Sequence, residues 1–331
     1  MDQIRIVNEK ELTKYVKLDM KLIEEIEKGF LALSNKEATV PPIMMLPVPL
    51  LDGEVDIKSA FVHSLPSLAV KIASGFFKNP DRGLPSQSGQ MLVISTETGM
   101  LQAVLLDNGY LTQIRTAAAG AIAAKYFAKK EVTNVGVFGC GVQARYQMQA
   151  LKLVRDYKKI YMFSIDTPSR KQSFVDDIKA TLDIDVVIAQ SGEELASLCD
   201  IIVTTTPSRK AYFSPDWIHP GLHITSMGSD AEDKQELYAK VFEKADIIAC
   251  DLISQSTRLG ELRVPTTGGI IKDLSRVREL GDVIGNKKKG RTTDNEVSIC
   301  DLTGVGVQDT VVALMAYNIA KEKNLGISIS R

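Results

Sequence analysis

One ten-residue run constrains this chain more than any other: Val135-Gly136-Val137-Phe138-Gly139-Cys140-Gly141-Val142-Gln143-Ala144. An apolar strand enters G-x-G-x-x-A, and a helix follows. Gly139 permits a tight turn, Gly141 lets the backbone approach a pyrophosphate, and Ala144 allows close helix–sheet packing. Phosphate oxygens then meet exposed N–H groups at the helix N-terminus, beside Val142 and Gln143. Alone, such a run can also be a Gly-rich turn that binds nothing. Its setting decides. Strand-like runs follow at 160–165, 186–189, 201–204, 224–227, 247–250 and 297–302, with polar, helix-like segments between most of them. Apolar strands alternating with helices predict an α/β fold, a parallel sheet covered on both faces. This is the pattern of a Rossmann dinucleotide-binding domain.

The second strand ends Phe163-Ser164-Ile165-Asp166, where the ribose-reading residue belongs. Asp166 would accept hydrogen bonds from ribose hydroxyls and favour NAD. Ser164 can instead occupy the acid's usual position, and Arg170 and Lys171 lie nearby to meet a 2′-phosphate, so NADP stays open. Thr204-Thr205-Thr206-Pro207 ends the fourth strand at the sheet's ligand edge. Its alternative is a strand end capped by hydroxyls.

The 331 residues suffice for two domains, and the 44% apolar content argues against disorder. Residues 19–33 carry Leu22, Ile23, Ile26, Phe30 and Leu33 at helical spacing. The Pro-rich stretch 39–49 cannot be helical throughout. Short strand-like runs at 60–62, 68–73, 91–95 and 101–106 are separated by turn signals such as Asp52-Gly53 and Glu97-Thr98-Gly99. The first third thus reads as a mostly antiparallel sheet with a helix on it. Arg115 begins a helix of small residues, 116–124, that leads into the second domain. A tail helix, 309–321, is expected to return to the first.

A formal net charge of −1 argues against a nucleic-acid or anionic-membrane binder, and Lys287-Lys288-Lys289 reads as a solvated loop. The four cysteines form no C-x-x-C pair and read as reduced, buried groups in a cytoplasmic protein. The three histidines lack metal-ligand spacing, so no metal is expected. Met1-Asp2-Gln3-Ile4-Arg5 shows no apolar leader, and no stretch is long enough to span a membrane.

Residues outside the glycine motif extend the pattern. Lys71 precedes Lys78-Asn79-Pro80 and Gly83-Leu84-Pro85-Ser86. Leu111-Thr112-Gln113-Ile114-Arg115-Thr116-Ala117-Ala118 comes next, then the G-x-G-x-Q run. Gly228-Ser229-Asp230 leads to Lys234-Gln235-Glu236-Leu237, and Asp301-Leu302-Thr303-Gly304 leads to Gln308-Asp309. In this order the chain resembles the ornithine cyclodeaminase/mu-crystallin family along nearly its whole length. Ser74-Gly75-Phe76-Phe77 and the phrase from Leu105 to Thr112 make it most similar to the ectoine-utilisation C proteins. The resemblance implies a substrate-binding and dimerisation domain of residues 1–117 with 306–331, a Rossmann NAD(P)-binding domain of residues 118–305, and a homodimer.

Reducing an imine requires cations for the substrate carboxylate and one acid/base at nitrogen. The resemblance implies that Arg115 binds the substrate carboxylate near the nicotinamide, that Lys71 contacts the carboxylate or amino group, and that Asp230 is the general acid/base. It also puts Ser86, Gly228, Lys234 and Thr303 near cofactor or substrate. From the residues alone, Arg115 reads equally as a surface ion-pair residue, Lys71 as a lysine on an exposed strand face, and Asp230 as the N-cap of a helix spanning 234–239. One departure stands out. Relatives acting on amino acids commonly carry a basic residue after a Pro-Pro pair, whereas Pro41-Pro42 is followed by Ile43; Lys78 or Arg82 are the candidates to replace it.

Three functions compete. The first is NAD(P)H-dependent reduction of a small imino acid, with iminosuccinate to aspartate as the example. The second is ornithine cyclodeamination to proline with recycled NAD. The third is a non-catalytic, crystallin-like binding protein.

Overall fold

The computed structural model describes residues 3–330; Met1, Asp2 and Arg331, and with them the start of the leader reading, lie outside the described residues. In chain order the strands are β1 (Gln3–Asn8), β2 (Ala38–Thr39), β3 (Met44–Val48), β4 (Gly53–Val62), β5 (Ser67–Phe76), β6 (Gln87–Ser95), β7 (Leu101–Leu106), β8 (Asn134–Phe138), β9 (Lys159–Phe163), β10 (Asp185–Ile188), β11 (Ile201–Thr204), β12 (His223–Ser226), β13 (Ile247–Cys250), β14 (Arg278–Glu279), β15 (Ser298–Asp301) and β16 (Ile327–Ser330). The chain divides into two compact units. One holds the chain up to Arg115 and from Val305 onward; the other is Thr116–Gly304.

The first unit is built on a sheet ordered β16-β1-β7-β6-β5-β4-β2, with β3 also paired to β4. Its pairs are antiparallel except β1 with β7. On β5 the buried alternation runs Ser67, Ala69, Lys71. Small residues there let the helix Gly306–Glu322 lie close: Thr310 Oγ1 donates to the Ala60 carbonyl and accepts from the Ala69 N–H. A side chain at Gly306 would strike the Ser59 carbonyl. The helix Met20–Ser34 is capped by Asp19 and buries Leu22, Ile23, Ile26 and Phe30, each worth about 1.5–3 kcal/mol of transfer free energy.

Two features of this unit add to the sequence reading and a third corrects it. β1 is a strand at 3–8, and β3 forms inside the Pro-rich stretch with Pro47 on an edge strand, paired only to β4, where proline is tolerated. The small-residue helix begins at Tyr110, so Arg115 stands in its second turn and not at its start. Asp107 Oδ2 accepts the Leu111 N–H at 2.8 Å, and Gly109 takes φ +87°, which together start the helix early.

The second unit has an all-parallel sheet ordered β10-β9-β8-β11-β12-β15-β13-β14. β11, β12 and β15 are buried along their whole length, as strands covered on both faces must be. β8 lies between β9 and β11, so the chain winds outward from it in both directions and leaves a crevice at its carboxyl end. Two readings change here. The two-residue β14 carries no apolar run to announce it. Residues 234–238 are not an α-helix: the Gln235 N–H bonds the Ser208 carbonyl, and a 3-10 turn starts only at Ala239. Among the described residues, no helix is long and apolar enough to cross a membrane.

Candidate active site

The turn after β8 forms as its glycines require. Gly139 has φ +101°, and a Cβ there would meet Thr205 Oγ1 at 2.8 Å. Thr205 is tied to the same strand end: its N–H and its hydroxyl both donate to the Phe138 carbonyl, at 3.0 and 2.9 Å. Gly141 precedes the helix Val142–Val154, which no side chain caps, and a Cβ at Gly141 would project into open space. An uncapped helix N-terminus beneath an unfilled cradle fits a pyrophosphate. Gln143 accepts from Gln147 Nε2, which also reaches the Thr116 carbonyl.

Beside this turn lies a cleft of about 320 Å³ lined by Cys140, Gly141, Val142, Arg145, Ser169, Arg170 and Ser173. Asp166 turns one oxygen toward Ser164 Oγ (2.7 Å) and Cys140 Sγ (3.2 Å), and the other takes Arg170 Nη1 at 2.7 Å. Burial works to raise this carboxyl, but Ser164, Cys140 and Arg170 outweigh it and hold it below the usual range. Arg145 pairs with Asp177 at 2.7 Å. Both arginines of the cleft therefore already have carboxylate partners.

Thr206 and Gly228, on the loops after β11 and β12, both donate to Glu236. Asp230 does not cap a helix; it is partly exposed and takes Lys234 Nζ at 2.7 Å. Thr303 is buried, its hydroxyl donating to Asp251 (3.0 Å) and accepting from Gln255 (2.8 Å). Asp251 also takes the N–H groups of Thr303 and Gly304, which fixes this turn.

In the first unit the two predicted cations come together around a residue that sequence reasoning left without a role. Asp309 is fully buried, with Arg115 Nε at 2.8 Å from one oxygen and Lys71 Nζ at 3.2 Å from the other. Arg115 is thus not a surface residue, and Lys71 is not on an exposed strand face: they are 4% and 2% exposed. Burial, then the charge of Arg115, lowers Lys71 to about 7 despite Asp309. Burial would raise the Asp309 carboxyl, but Arg115, Lys71 and Lys58 together hold it down. Lys58 is the second residue missed. It is buried and directly cross-strand from Lys71, whereas Lys78 and Arg82 are exposed. The period-2 pair Asp56 and Lys58 was the available signal. Ser86 is half-buried, and its carbonyl accepts the Phe76 N–H.

The family model for the ornithine cyclodeaminase/mu-crystallin family matches residues 4–324. An uncharacterized cyclodeaminase of Sinorhizobium fredii is 41% identical over 327 residues, 98% of each chain. Delta(1)-pyrroline-2-carboxylate reductase of Thermococcus litoralis, solved with NADH and L-proline, matches at TM-score 0.92 and 28% identity over 98% of this chain and 100% of its own. An archaeal alanine dehydrogenase dimer with bound NAD gives TM-score 0.90 and 33% identity over 99% of both chains. The β8 turn, the Lys71–Asp309–Arg115 cluster and a family match spanning almost the whole sequence lead to one conclusion: this chain belongs to the ornithine cyclodeaminase/mu-crystallin family.

Proposed function

We propose that this chain is an NAD-dependent oxidoreductase of the carbon–nitrogen bond that reduces a small imino acid to an amino acid and oxidises the amino acid in reverse. The observation that carries this reading is the buried cluster in which Lys71 and Arg115 share the carboxylate of Asp309. Two cations around one anion favour a second carboxylate, which the substrate supplies. The dinucleotide, held by Gly139, Gly141, Val142, Gln143, Thr205 and Thr206, supplies the hydride. Arg115 and Lys71 bind and orient the substrate carboxylate. Asp230, steadied by Lys234, gives the substrate nitrogen its proton. The Asp166–Arg170 pair leaves that guanidinium occupied, which favours a ribose hydroxyl over a 2′-phosphate and so NAD over NADP.

A homodimer suits the first unit, whose β3 edge and following turn expose Met44, Leu46 and Leu50. Light scattering on the purified protein tests it, and a monomer at micromolar concentration would refute it. Four buried free cysteines suit the reducing cytoplasm.

NADH oxidation with pyrroline-2-carboxylate, and with glyoxylate, pyruvate or oxaloacetate plus ammonia, tests the reaction. Oxaloacetate with ammonia presents iminosuccinate. Net NADH consumption with an amino-acid product is the expected result. Ornithine is run beside them, and proline formed from it without net NADH consumption would show a cyclodeaminase instead.

A further inference from the structure

One fully buried carboxylate of the second unit has no part in the chemistry above. Glu236 Oε1 accepts from the Thr206 N–H (2.8 Å), Thr206 Oγ1 (2.7 Å) and Tyr212 OH (2.8 Å). Its Oε2 accepts from Thr204 Oγ1 (2.6 Å) and the Gly228 N–H (2.9 Å), with Ser226 Oγ at 3.4 Å. A carboxylate offers about four lone-pair sites, so this one is saturated with donors. It is fixed from behind as well. Its own N–H donates to Glu261 Oε1 at 2.6 Å, and the next N–H, of Leu237, donates to Glu261 Oε2 at 3.1 Å.

The bonds reach two loops at once, the one after β11 and the one after β12. The loops are pressed together at the same point: a Cβ on Gly228 would lie 2.2 Å from the Thr206 carbonyl oxygen and 2.5 Å from Glu236 Cδ. Thr205 and Thr206 belong to the first loop, and Asp230 stands two residues beyond Gly228 on the second.

We propose that Glu236 is a positioning residue that locks the Thr206 loop to the Gly228–Asp230 loop and thereby sets both dinucleotide affinity and the aim of Asp230. This rests on the role given to Asp230 above. A displacement of about 1 Å at a reacting group costs on the order of 10²-fold in rate. Glu236→Gln introduces such a displacement, because one acceptor oxygen becomes an NH₂ that must face an N–H or O–H whichever way the amide turns.

The test measures NADH affinity by fluorescence titration, and kcat and KM on the folded variant. Glu236→Gln is expected to raise the NADH Kd about 10-fold and lower kcat about 10²-fold, with KM for the imino acid changed by less than about 3-fold. Asp230→Asn, run beside it, is expected to lower kcat with NADH affinity kept. A Glu236→Gln protein with a lower Tm but wild-type NADH Kd and kcat would make Glu236 purely structural and overturn the proposal. Wild-type kcat in Asp230→Asn would instead overturn the role of Asp230. Should Glu236→Gln not fold, Thr204→Val with Tyr212→Phe removes two of the donors and leaves the carboxylate in place. Weaker NADH binding in that variant supports the proposal, and unchanged binding overturns it.

Discussion

The two units bury charge in different ways. In the first, charges meet charges: Lys71 and Arg115 flank Asp309, and Lys58 acts on both Lys71 and Asp309. In the second, carboxylates meet hydroxyls and backbone N–H groups, as Glu236 meets Thr204, Thr206, Tyr212 and Gly228, and Asp251 meets Thr303 and Gly304. The first arrangement brings a buried cation toward neutrality: Lys71 falls to about 7. The second holds loops in place. An anion ringed by fixed dipoles gains little from moving, so it serves as a strut for the groups that bind or react. The contrast separates a cluster able to answer a substrate's charge from a scaffold that positions.

The largest effect is expected at the centre of the ionic cluster. Asp309→Ala strands two buried cations and should cost about 3–5 kcal/mol in denaturant unfolding. A loss below about 1 kcal/mol would mean that the cations are not held by this pair, and the contrast between the units would fall.

The next effect is on pH dependence. Lys71 is charged below about 7 and neutral above it, so kcat/KM for a carboxylate substrate should fall as pH rises through that value, approaching ten-fold per unit. Lys71→Arg keeps its charge throughout and should lose this limb. The stability sign runs the other way. Between about 7 and the ordinary lysine value of 10.5 the unfolded chain carries a proton that the folded chain has released, so this group's contribution to stability rises with pH across that window and is lost below about 7. Urea unfolding of wild type and Lys71→Met at the two ends of the window reads it. A flat difference between them would contradict the shift.

The smallest effect concerns cofactor choice. Asp166→Ala removes Arg170's partner and should move the ratio of kcat/KM for NADH over NADPH by about 10-fold toward NADPH. An unchanged ratio would show that the pair does not read the ribose.

The β8 turn was legible because its chemistry is local: two glycines, a preceding apolar strand and a following helix. Most strands of the parallel sheet, β14 excepted, were legible as short, largely apolar runs between helix-like segments, and the helix Met20–Ser34 announced itself by its spacing. What stayed hidden depends on distant pairing. Asp309 is separated by 194 residues from the Arg115 that it neutralises. Lys58 meets Lys71 only through the β4–β5 register. Glu236 stood in view within Lys234-Gln235-Glu236-Leu237, but its donors come from two loops that only the folded sheet brings to one carboxylate. The early start of the Tyr110–Phe127 helix escaped because it depends on the Asp107 carboxylate closing on the Leu111 N–H, which only the folded backbone shows.

Hydride transfer to the carbon of an imino acid would leave the nicotinamide's label on the product. The enzyme is given NADH carrying deuterium at both C4 positions, with pyrroline-2-carboxylate in one reaction and oxaloacetate plus ammonia in another, and the amino-acid product is weighed by mass spectrometry. One deuterium per amino acid, with one NAD formed for each, is the expected result. Amino acid without deuterium, or amino acid formed while the labelled NADH stays unspent, would contradict it.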